Sequence, residues 1–370
     1  MQFIVARELL LKLLKQVSGI VEKRAADNPV WGHILLVANS DRLEIYALGP
    51  AVELSTTIEL DVVLQGSALV PFRQFFDICK ALPATQPISL DARDSKLYIE
   101  AKNSKFTLNT LAVDSFPSLS MFQAHEVLAD FSLPKSSLIL LISKTAFAMA
   151  EQDVRYYFNG MLLECDGNNL ISVAADGHRL AKNSITLEHV APPFRIIIPR
   201  RSVLELSRLI VDSSQEQIQI KLVKNYIQFK LQDVCFSSKL LEGKFPDYTR
   251  VVARQQGCTF SAKRDSLKEA FTRASALFNE KFKGVRIKLG NNSLKVLASN
   301  AEHDNAEEDI QIEYTGQELE VGYNIKYLID FLSVIVADTV QFTFNEQNQS
   351  TLIETSNPDD GAYVLMPVRM

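Results

Sequence analysis

The sequence contains one pattern three times at nearly constant spacing, and this repeat limits the possible folds most strongly. The segments FIVARELLLKLLKQV, FSLPKSSLILLISKT and FSAKRDSLKEAFTRA begin at Phe3, Phe131 and Phe260, which are 128 and 129 residues apart. In each segment apolar residues stand seven and eleven positions after the phenylalanine: Leu10 and Leu14, Leu138 and Ile142, Leu267 and Phe271. This spacing predicts a short strand followed by an amphipathic helix, in three tandem copies.

A second marker recurs later in each copy. The segments FFDIC, VLELS and LIDFL place the acidic residues Asp77, Glu205 and Asp330 at 74, 74 and 70 residues after the respective phenylalanine. Each segment predicts a second amphipathic helix, and the proline before the first two suits a helix start. The 370 residues are therefore expected to form three domains, with the boundaries 1–125, 126–254 and 255–370.

Between the helices the pattern changes to an apolar residue at every second position. The segments KLYIEAKNSKFTLNTL, QIQIKLVKNYIQFKLQ and VRIKLGNNSLKVLAS alternate in this way, with Asn, Gly or Lys at their centres. Such segments predict antiparallel hairpins. The predicted fold class is α+β, with three similar tandem domains that each pack two helices on antiparallel sheets. The helices are predicted at 6–17, 71–82, 134–149, 199–210, 263–276 and 322–335.

Positive charge is concentrated in the six predicted helices. They contain fifteen Lys or Arg and six acidic residues, although the whole chain has a net charge of −5. A solvated charged face is the simpler interpretation, but that interpretation predicts mixed signs. The excess of positive charge on the helices indicates a polyanionic partner that the protein contacts with one side only. The absence of a base-reading motif indicates that these contacts are made with phosphates.

Several classes of protein are disfavoured by the sequence. No apolar run approaches the ~18 residues of a membrane span, and the N-terminal residues do not resemble a signal peptide. The cysteines Cys79, Cys165, Cys235 and Cys258 are scattered without a CxxC pair. Scattered cysteines favour reduced thiols over a disulfide frame or a zinc site. We therefore expect a cytoplasmic protein with no membrane segment, metal or cofactor.

The segment VAADGHRLA (173–181) contains the residues that most resemble a catalytic site. Asp176 and His178 could form an acid–base pair, although a DxH pattern alone is weak and no HExxH, GxSxG or Walker A motif accompanies it. Asp-Gly is also a common turn between two strands, here LISVAA and RLAKNSI. A hydrolase that uses His178 and a purely structural turn both remain possible from these residues.

Five longer motifs resemble one known family. QDVRYYFNGMLLE (152–164), ADGHRLA (175–181), KFPDYTRV (244–251), FNEKFKGVR (278–286) and YVLMPVRM (363–370) are similar to motifs of the bacterial DNA sliding clamp, the β subunit of DNA polymerase III holoenzyme. The resemblance covers essentially the whole chain. It implies a head-to-tail homodimer that forms a six-domain ring around double-stranded DNA. It also implies a processivity factor that is not an enzyme and has no catalytic residues.

The resemblance further implies a pocket for short linear motifs of partner proteins. The expected partners are the catalytic subunit of DNA polymerase III, the clamp loader, other polymerases and repair proteins. Ala175 stands where the family pattern leads us to expect Thr. The expected pocket residues are Phe158, Ala175, Gly177, His178, Arg179, Leu180, Pro246, Arg250, Val251, Tyr327, Val364, Met366, Pro367, Val368, Arg369 and Met370.

The same resemblance assigns two further sets of residues. Ala276, Gln74 and residues 46–54 depart from the family pattern. Ordinary surface exposure or core packing is the simpler interpretation of any single member. DNA contacts are expected at Arg24, Arg73, Gln152, Tyr156 and Tyr157, and contacts between subunits at Phe106, Leu108, Ala276 and Leu277. A peptide-binding scaffold that does not encircle DNA is the alternative function.

Overall fold

The computed structural model describes residues 1–22, 28–117, 126–253, 257–278, 283–300, 304–314, 316–345 and 350–368. Its contacts divide the chain into two units. Unit 1 comprises Met1–Lys135 and Leu204–Leu240, and unit 2 comprises Ser136–Val203 and Leu241–Met370. The chain therefore enters each unit twice, and the predicted central domain contributes to both.

Seven α-helices lie in the described residues, and six of them correspond to the predicted helices. They are α1 Arg7–Val17, α2 Phe72–Ala81, α3 Lys135–Ser143, α4 Arg200–Asp212, α5 Thr249–Val252, α6 Arg264–Ser275 and α7 Ile325–Val334.

Two helix boundaries differ from the prediction by three residues or more, and one short helix was not predicted. Helix α3 ends at Ser143 instead of 149, because Lys144 turns into the protein interior and a short 3-10 turn follows at Ala146–Ala148. Helix α7 begins at Ile325 instead of 322, since the Asn324 side chain accepts a hydrogen bond from the N–H of Lys326 and caps the helix. The short helix α5 was not predicted.

The strands of the described residues follow in chain order. The first are β1 Gln2–Ala6, β2 His33–Ala38, β3 Arg42–Leu48, β4 Val52–Glu59, β5 Val62–Leu64, β6 Gly66–Pro71, β7 Pro87–Arg93, β8 Lys96–Ala101, β9 Ser104–Asn109, β10 Val127–Pro134, β11 Gly160–Asp166, β12 Asn169–Ala175 and β13 Arg179–Thr186. The remaining strands are β14 Phe194–Pro199, β15 Gln217–Val223, β16 Tyr226–Leu231, β17 Val234–Lys239, β18 Gly257–Lys263, β19 Gly284–Gly290, β20 Ser293–Ser299, β21 Asn305–Gln311, β22 Leu319–Asn324, β23 Thr339–Asn345, β24 Thr351–Glu354 and β25 Ala362–Leu365. All three hairpins predicted from alternation are present, as β8–β9, β15–β16 and β19–β20.

Each unit contains one eight-stranded antiparallel sheet with the same internal plan. In unit 1 the strand order is β10-β15-β16-β17-β4-β3-β2-β6, and in unit 2, listed from the opposite end, it is β18-β23-β24-β25-β13-β12-β11-β14. The two halves of these sheets join through β17–β4 and through β13–β25. Hydrogen bonding therefore continues from one repeat into the next.

Each of the two smaller sheets corresponds to one half of an eight-stranded sheet. Unit 1 also contains the sheet β5-β1-β7-β8-β9, and unit 2 contains β21-β20-β19-β22. By position in the repeat, β9 corresponds to β17 and β25, whereas β21 corresponds to β4 and β13. Within the described residues, β9 and β21 are sheet edges, although their counterparts pair with each other.

The apolar positions of the repeat form the helix–sheet cores. Leu10, Leu138 and Leu267, seven residues after each phenylalanine, are all buried. Burying such a side chain contributes about 1.5–3 kcal/mol relative to leaving it exposed. The repeat thus identifies core positions, because equivalent residues are buried between helix and sheet in all three copies.

A basic residue at the start of the first helix in each repeat has a common role. It stands four positions after the repeat phenylalanine and donates to carbonyl groups at the C-terminal end of the second helix of that repeat. Arg7 donates to Cys79 and Lys80, Lys135 to Val211 and Ser213, and Arg264 to Ile335. Carbonyl groups at a helix end lack partners within the helix, and a cation there also interacts favourably with the helix dipole.

Replacing Arg7 with methionine is expected to lower the free energy of unfolding by about 1 kcal/mol, because the carbonyls of Cys79 and Lys80 lose a charged donor. Chemical denaturation of the purified protein measures this change. Lys12→Met is the matched control, since Lys12 is exposed on the same helix. Equal stability of the two variants would contradict the role assigned to Arg7.

Candidate functional site

The segment VAADGHRLA forms a tight turn between β12 and β13. The carboxylate of Asp176 accepts hydrogen bonds from the backbone N–H groups of His178 (2.9 Å) and Arg179 (3.0 Å). Gly177 has a φ of +88°, a conformation that residues with a side chain rarely adopt. Asp176 therefore builds the turn, as the structural interpretation of Asp-Gly predicted.

Arg179 fixes this turn to the rest of unit 2. Its Nε donates to Asp176 (3.0 Å), its Nη1 to Asp330 (2.6 Å) and its Nη2 to the carbonyl of Phe147 (2.6 Å). Its guanidinium also lies 4.2 Å from the ring centroid of Tyr327. All three nitrogens therefore donate to groups of the protein, and Arg179 has a structural role in this turn.

An apolar pocket of ≈ 110 Å³ lies beside the turn. Ten of the sixteen residues expected from the sequence contribute to its lining. The lining residues are Phe158, Ala175, Gly177, His178, Arg179, Leu180, Phe245, Pro246, Asp247, Tyr248, Val251, Val364 and Met366. The structure thus brings together residues from four separate parts of the sequence.

The other expected pocket residues lie elsewhere. Arg250 is exposed next to Asp247, and Tyr327 lies beneath Arg179 in a neighbouring polar groove. Pro367 and Val368 line a separate cavity of ≈ 450 Å³. Arg369 and Met370 lie outside the described residues.

Sequence reasoning missed three lining residues, all within the quoted motif KFPDYTRV. The ring of Phe245 meets that of Phe158 edge to face at 5.8 Å, and Tyr248 donates its hydroxyl to Glu164 (3.2 Å). Burial and the nearby Glu164 carboxylate raise the pKa of Tyr248 to about 12. Tyr248 is therefore a neutral wall residue at physiological pH. Aromatic residues flanking a Pro-Asp turn were the available signal.

The C-terminal segment closes one side of the pocket. The N–H of Met366 donates to the carbonyl of His178 (2.8 Å), and its side chain is partly exposed. The flexible thioether of methionine suits a surface that must adapt to different apolar guests. Ala175 contributes a buried methyl group to the wall and no hydroxyl.

A polar groove of ≈ 690 Å³ adjoins the pocket through the shared residues His178 and Arg179. Arg200, Lys283 and Lys326 supply further positive charge to this groove. Gln152 and the acidic residues Glu151, Asp153, Asp176 and Asp330 also line it. The groove can therefore accept charged or hydrogen-bonding groups next to an apolar anchor point.

The residues expected to contact DNA differ in accessibility. Arg73 is exposed on α2, Gln152 is exposed at a φ of +58°, and Tyr156 is 53% exposed. Tyr157 is half-buried against the ring of Phe158. Arg24 lies outside the described residues.

The fifteen basic residues counted in the predicted helices are not all available to a polyanion. Arg7, Lys135 and Arg264 bond helix ends, and Lys144 is buried. Arg208 and Arg273 form ion pairs with Glu205 and Glu308. Fewer of the fifteen basic residues are therefore available to phosphates than their number alone suggests. Exposed members include Lys12, Lys15, Arg73, Lys80, Lys263 and Lys326.

The residues expected at a subunit boundary lie at two places. Phe106 and Leu108 are on the edge strand β9, and the Phe106 side chain is 38% exposed. Ala276 and Leu277 follow α6 directly, with Ala276 exposed and Leu277 half-buried. An apolar residue on an open sheet edge is a common feature of strands that pair with another chain.

The geometry does not assemble a catalytic pair from Asp176 and His178. The carboxylate of Asp176 is used by two backbone N–H groups and by Arg179. In the described part of the chain, no group of three His, Cys, Asp or Glu residues is placed to hold a metal ion. No helix among the described residues is long and apolar enough to cross a membrane.

These features define a class of protein: a binding protein built from tandem α+β repeats, with an apolar pocket suited to a short segment of another molecule. The chain belongs to the DNA polymerase III beta subunit family. The N-terminal domain of that family matches residues 1–120, the central domain 132–247 and the C-terminal domain 249–369. The predicted class of three tandem α+β domains is thereby confirmed, whereas the boundaries at 125 and 254 stay predictions.

Individual relatives match over the full length of both chains. The beta sliding clamp of Pseudomonas aeruginosa is 42% identical, and that of Escherichia coli K12 is 38% identical, each covering all of both chains. A crystal structure of the Pseudomonas aeruginosa sliding clamp bound to griselimycin superposes with a TM-score of 0.92 at 42% identity, again over all of both chains. The similarity thus extends to sequence and fold alike.

Proposed function

We propose that this chain is a DNA polymerase processivity factor that is not an enzyme. Two copies close head to tail into a ring around duplex DNA in the cytoplasm, and the apolar pocket tethers polymerases and other replication proteins. The full-length correspondence with beta sliding clamps, in both sequence and fold, is the observation that carries this proposal.

Ring closure is supported by the strand order. The repeat plan joins two half-sheets inside each unit, and it leaves β9 and β21 as edges in the described residues. If β9 of one copy pairs with β21 of another, the order β1-β7-β8-β9-β21-β20-β19-β22 repeats that of the complete sheets. Such a head-to-tail contact uses two different surfaces, so two copies can close on themselves.

The exposure of Phe106 supports the same pairing. Phe106 lies opposite Ile99 in β8–β9, as Phe236 lies opposite Phe229 in β16–β17. Phe236 is 0% exposed because β4 follows β17 in the sheet, whereas Phe106 is 38% exposed. A partner strand next to β9 would bury Phe106 in the same way.

Sliding on DNA is supported by the kind of basic residue that remains accessible. Lys12, Lys15, Arg73 and Lys80 are exposed on α1 and α2. Contacts from such side chains to phosphates are independent of base sequence and weaken with salt. A ring need not bind tightly, because encirclement itself prevents dissociation.

The pocket is proposed to receive short motifs that contain Gln and Leu or Phe. The proposed owners of these motifs are the catalytic subunit of DNA polymerase III, the clamp loader, other polymerases and repair proteins. An apolar pocket bordered by a polar groove suits a peptide with apolar anchors and a hydrogen-bonding neighbour. One pocket per chain would make these partners compete.

The decisive experiment compares closed and linear DNA. The protein is assembled on a closed circular plasmid, the complex is isolated by gel filtration, and the plasmid is then cut once. We expect retention on the circle and rapid release after cutting, at several salt concentrations. A protein that merely binds DNA would stay on the linear form, and a peptide-binding scaffold would not be retained on the circle.

Placing a charge in the pocket should weaken motif binding without preventing folding. Val251→Asp is expected to weaken binding of a labelled Gln- and Leu-Phe-containing peptide at least about tenfold, since a carboxylate is costly to bury in an apolar pocket. Fluorescence anisotropy measures the affinity. Val190→Asp, at an exposed valine of the same unit, is the control and should bind normally. Equal binding by both variants would contradict the assigned pocket.

A further inference from the structure

Residues 152–158, called the strap below, precede β11 and are held in shape by their own polar side chains. Arg155 donates to the carboxylate of Asp153 through Nε (3.0 Å) and Nη2 (2.9 Å). The N–H of Asp153 donates to the Asn159 side chain (2.9 Å), and that side chain donates back to the Asp153 carbonyl (2.8 Å). The strap is therefore a defined structure with one exposed ion pair at its centre.

The strap lies against the Asp176 turn on one side of the apolar pocket and against the segment that leads to Phe245 on the other. Arg155 Nη2 donates to the carbonyl of Asp176 (3.3 Å), and a β-carbon added to Gly177 would lie 2.5 Å from the same nitrogen. On the other side, a β-carbon added to Gly243 would lie 3.0 Å from the ring of Tyr156. Gly243 stands two residues before Phe245, a residue of the opposite wall. Both glycines thus allow the strap to approach closely.

Arg155 also supports a lining residue directly. Its guanidinium lies 4.7 Å from the ring centroid of Phe158, which is part of the pocket. Arg155 itself does not line the pocket. Its contacts instead make it a positioning residue for the turn at Asp176 and for Phe158.

The outer surface of the strap borders the polar groove. Gln152 and Asp153 line this groove with the basic residues Arg200, Lys283 and Lys326 and the acidic residues Glu151, Asp176 and Asp330, so a phosphate that enters it is attracted to the basic side chains. The Arg155 side chain is 45% exposed. A phosphate offers a guanidinium the same two-oxygen geometry as the carboxylate of Asp153, so the two groups can compete for Arg155.

We propose that the strap couples the polar groove to the apolar pocket through Arg155. A phosphodiester backbone in the groove draws Arg155 away from Asp153 and from the turn, and the pocket then binds its peptide more weakly. The two states are an Arg155 bonded to Asp153 and Asp176 and an Arg155 bonded to phosphate. By linkage, a bound peptide weakens the phosphate contact by the same factor. This inference rests on the proposed function.

The test measures peptide affinity at increasing concentrations of a short duplex of mixed sequence at low salt. For the wild-type protein, the dissociation constant of the labelled peptide is expected to rise about fivefold and then level off. For Arg155→Gln, the dissociation constant is expected to be raised already without DNA and to stay constant when the duplex is added. Arg155→Lys keeps the positive charge but cannot form the bidentate contact. Its peptide affinity should therefore respond to the duplex more than that of Arg155→Gln and less than that of the wild-type protein.

The chain provides a matched control for this variant. Arg93 also pairs with an aspartate two residues earlier, Asp91, and lies over an aromatic ring, that of Tyr98. Arg93 belongs to unit 1, so Arg93→Gln should respond to DNA as the wild-type protein does. Thermal unfolding of each variant separates a loss of coupling from a loss of folding.

Three results would overturn the coupling. One is an Arg155→Gln variant that responds to the duplex like the wild-type protein. Another is a dissociation constant that rises without limit as the duplex is added, which indicates direct competition for the pocket. The third is a wild-type protein that binds both ligands independently. If the wild-type protein binds neither peptide nor duplex, the proposed function itself fails.

Discussion

Replacing Lys144 with methionine is expected to lower the free energy of unfolding by about 3–5 kcal/mol. The Nζ of Lys144 donates to the carboxylate of Asp360 (2.7 Å) and to the carbonyl of Val334, and the two charged side chains are 4% and 0% exposed. Methionine replaces the apolar part of the lysine side chain but not its ammonium group, so Asp360 is left buried without its cation. Chemical denaturation followed by circular dichroism measures the loss.

The exposed ion pair of Lys105 with Glu100 provides the control. It has a similar N–O distance of 2.9 Å, but its side chains are 74% and 52% exposed. Exposed pairs typically contribute 1 kcal/mol or less, so Lys105→Met should change stability by about 0–1 kcal/mol. If Lys144→Met cost no more than this control, the buried pair would have no special role.

The difference between wild type and Lys144→Met should also depend on pH. Burial alone would raise the pKa of Asp360, but hydrogen bonds from Lys144 and from the N–H groups of Ala337 and Val336 lower it overall. A lowered pKa in the folded state stabilises the protein above the ordinary carboxyl pKa of about 4, and this contribution is lost as the pH falls through the folded-state value. The stability difference should therefore shrink in acid.

Two cysteines placed at the proposed subunit boundary are expected to crosslink most of the protein into covalent dimers. Phe236 lies opposite Leu54 where β17 meets β4. Phe106 has the same position in its hairpin as Phe236. Ala306 lies opposite Ala298 and has the same position in its hairpin as Leu54. Phe106 of one subunit should then face Ala306 of the partner subunit. Directly opposed strand residues lie within reach of a disulfide.

The double variant Phe106→Cys, Ala306→Cys is oxidised and analysed on a denaturing gel without reductant. Each single variant should stay monomeric on that gel, because a head-to-tail contact places two different surfaces together. A dimer of Phe106→Cys alone would indicate a symmetric contact instead. Phe106→Cys combined with Asp309→Cys is the register control, since residue 309 lies about 10 Å further along the strand. A double variant that stays monomeric would contradict the proposed ring.

Local patterns predicted most of the secondary structure. Helices α1, α2 and α6 begin and end within one residue of the positions predicted from apolar spacing, and the three alternating segments form hairpins. These predictions succeed because burial on a helix or strand face depends on residues only a few positions apart. The end of α3 was missed, since Lys144 leaves the helix to reach Asp360, which is 216 residues away in the sequence.

The location of the pocket could not be predicted from the repeat. The repeat contains Phe-Pro twice, at Phe116-Pro117 and at Phe245-Pro246, and Leu111 and Leu241 form equivalent isolated bridges. In unit 1 the counterpart region packs as a small apolar cluster that includes Phe116 and the half-buried Trp31. In unit 2 the equivalent walls leave an open pocket. Sequence repetition alone does not distinguish the two, because side chains from distant segments decide whether the space is filled.

The order of residues was sufficient for the threefold repeat, the α+β class and the core positions, and the resemblance to a known family supplied ten of the residues that line the pocket. Tertiary contacts alone decided which groups of the protein the arginines bond, since Arg7, Arg179 and Arg264 bond groups 72, 151 and 71 residues away. Periodicity shows which side of a helix meets the core. It does not show which carbonyl or carboxylate a folded chain brings to that helix, because that partner is chosen by packing over the whole unit.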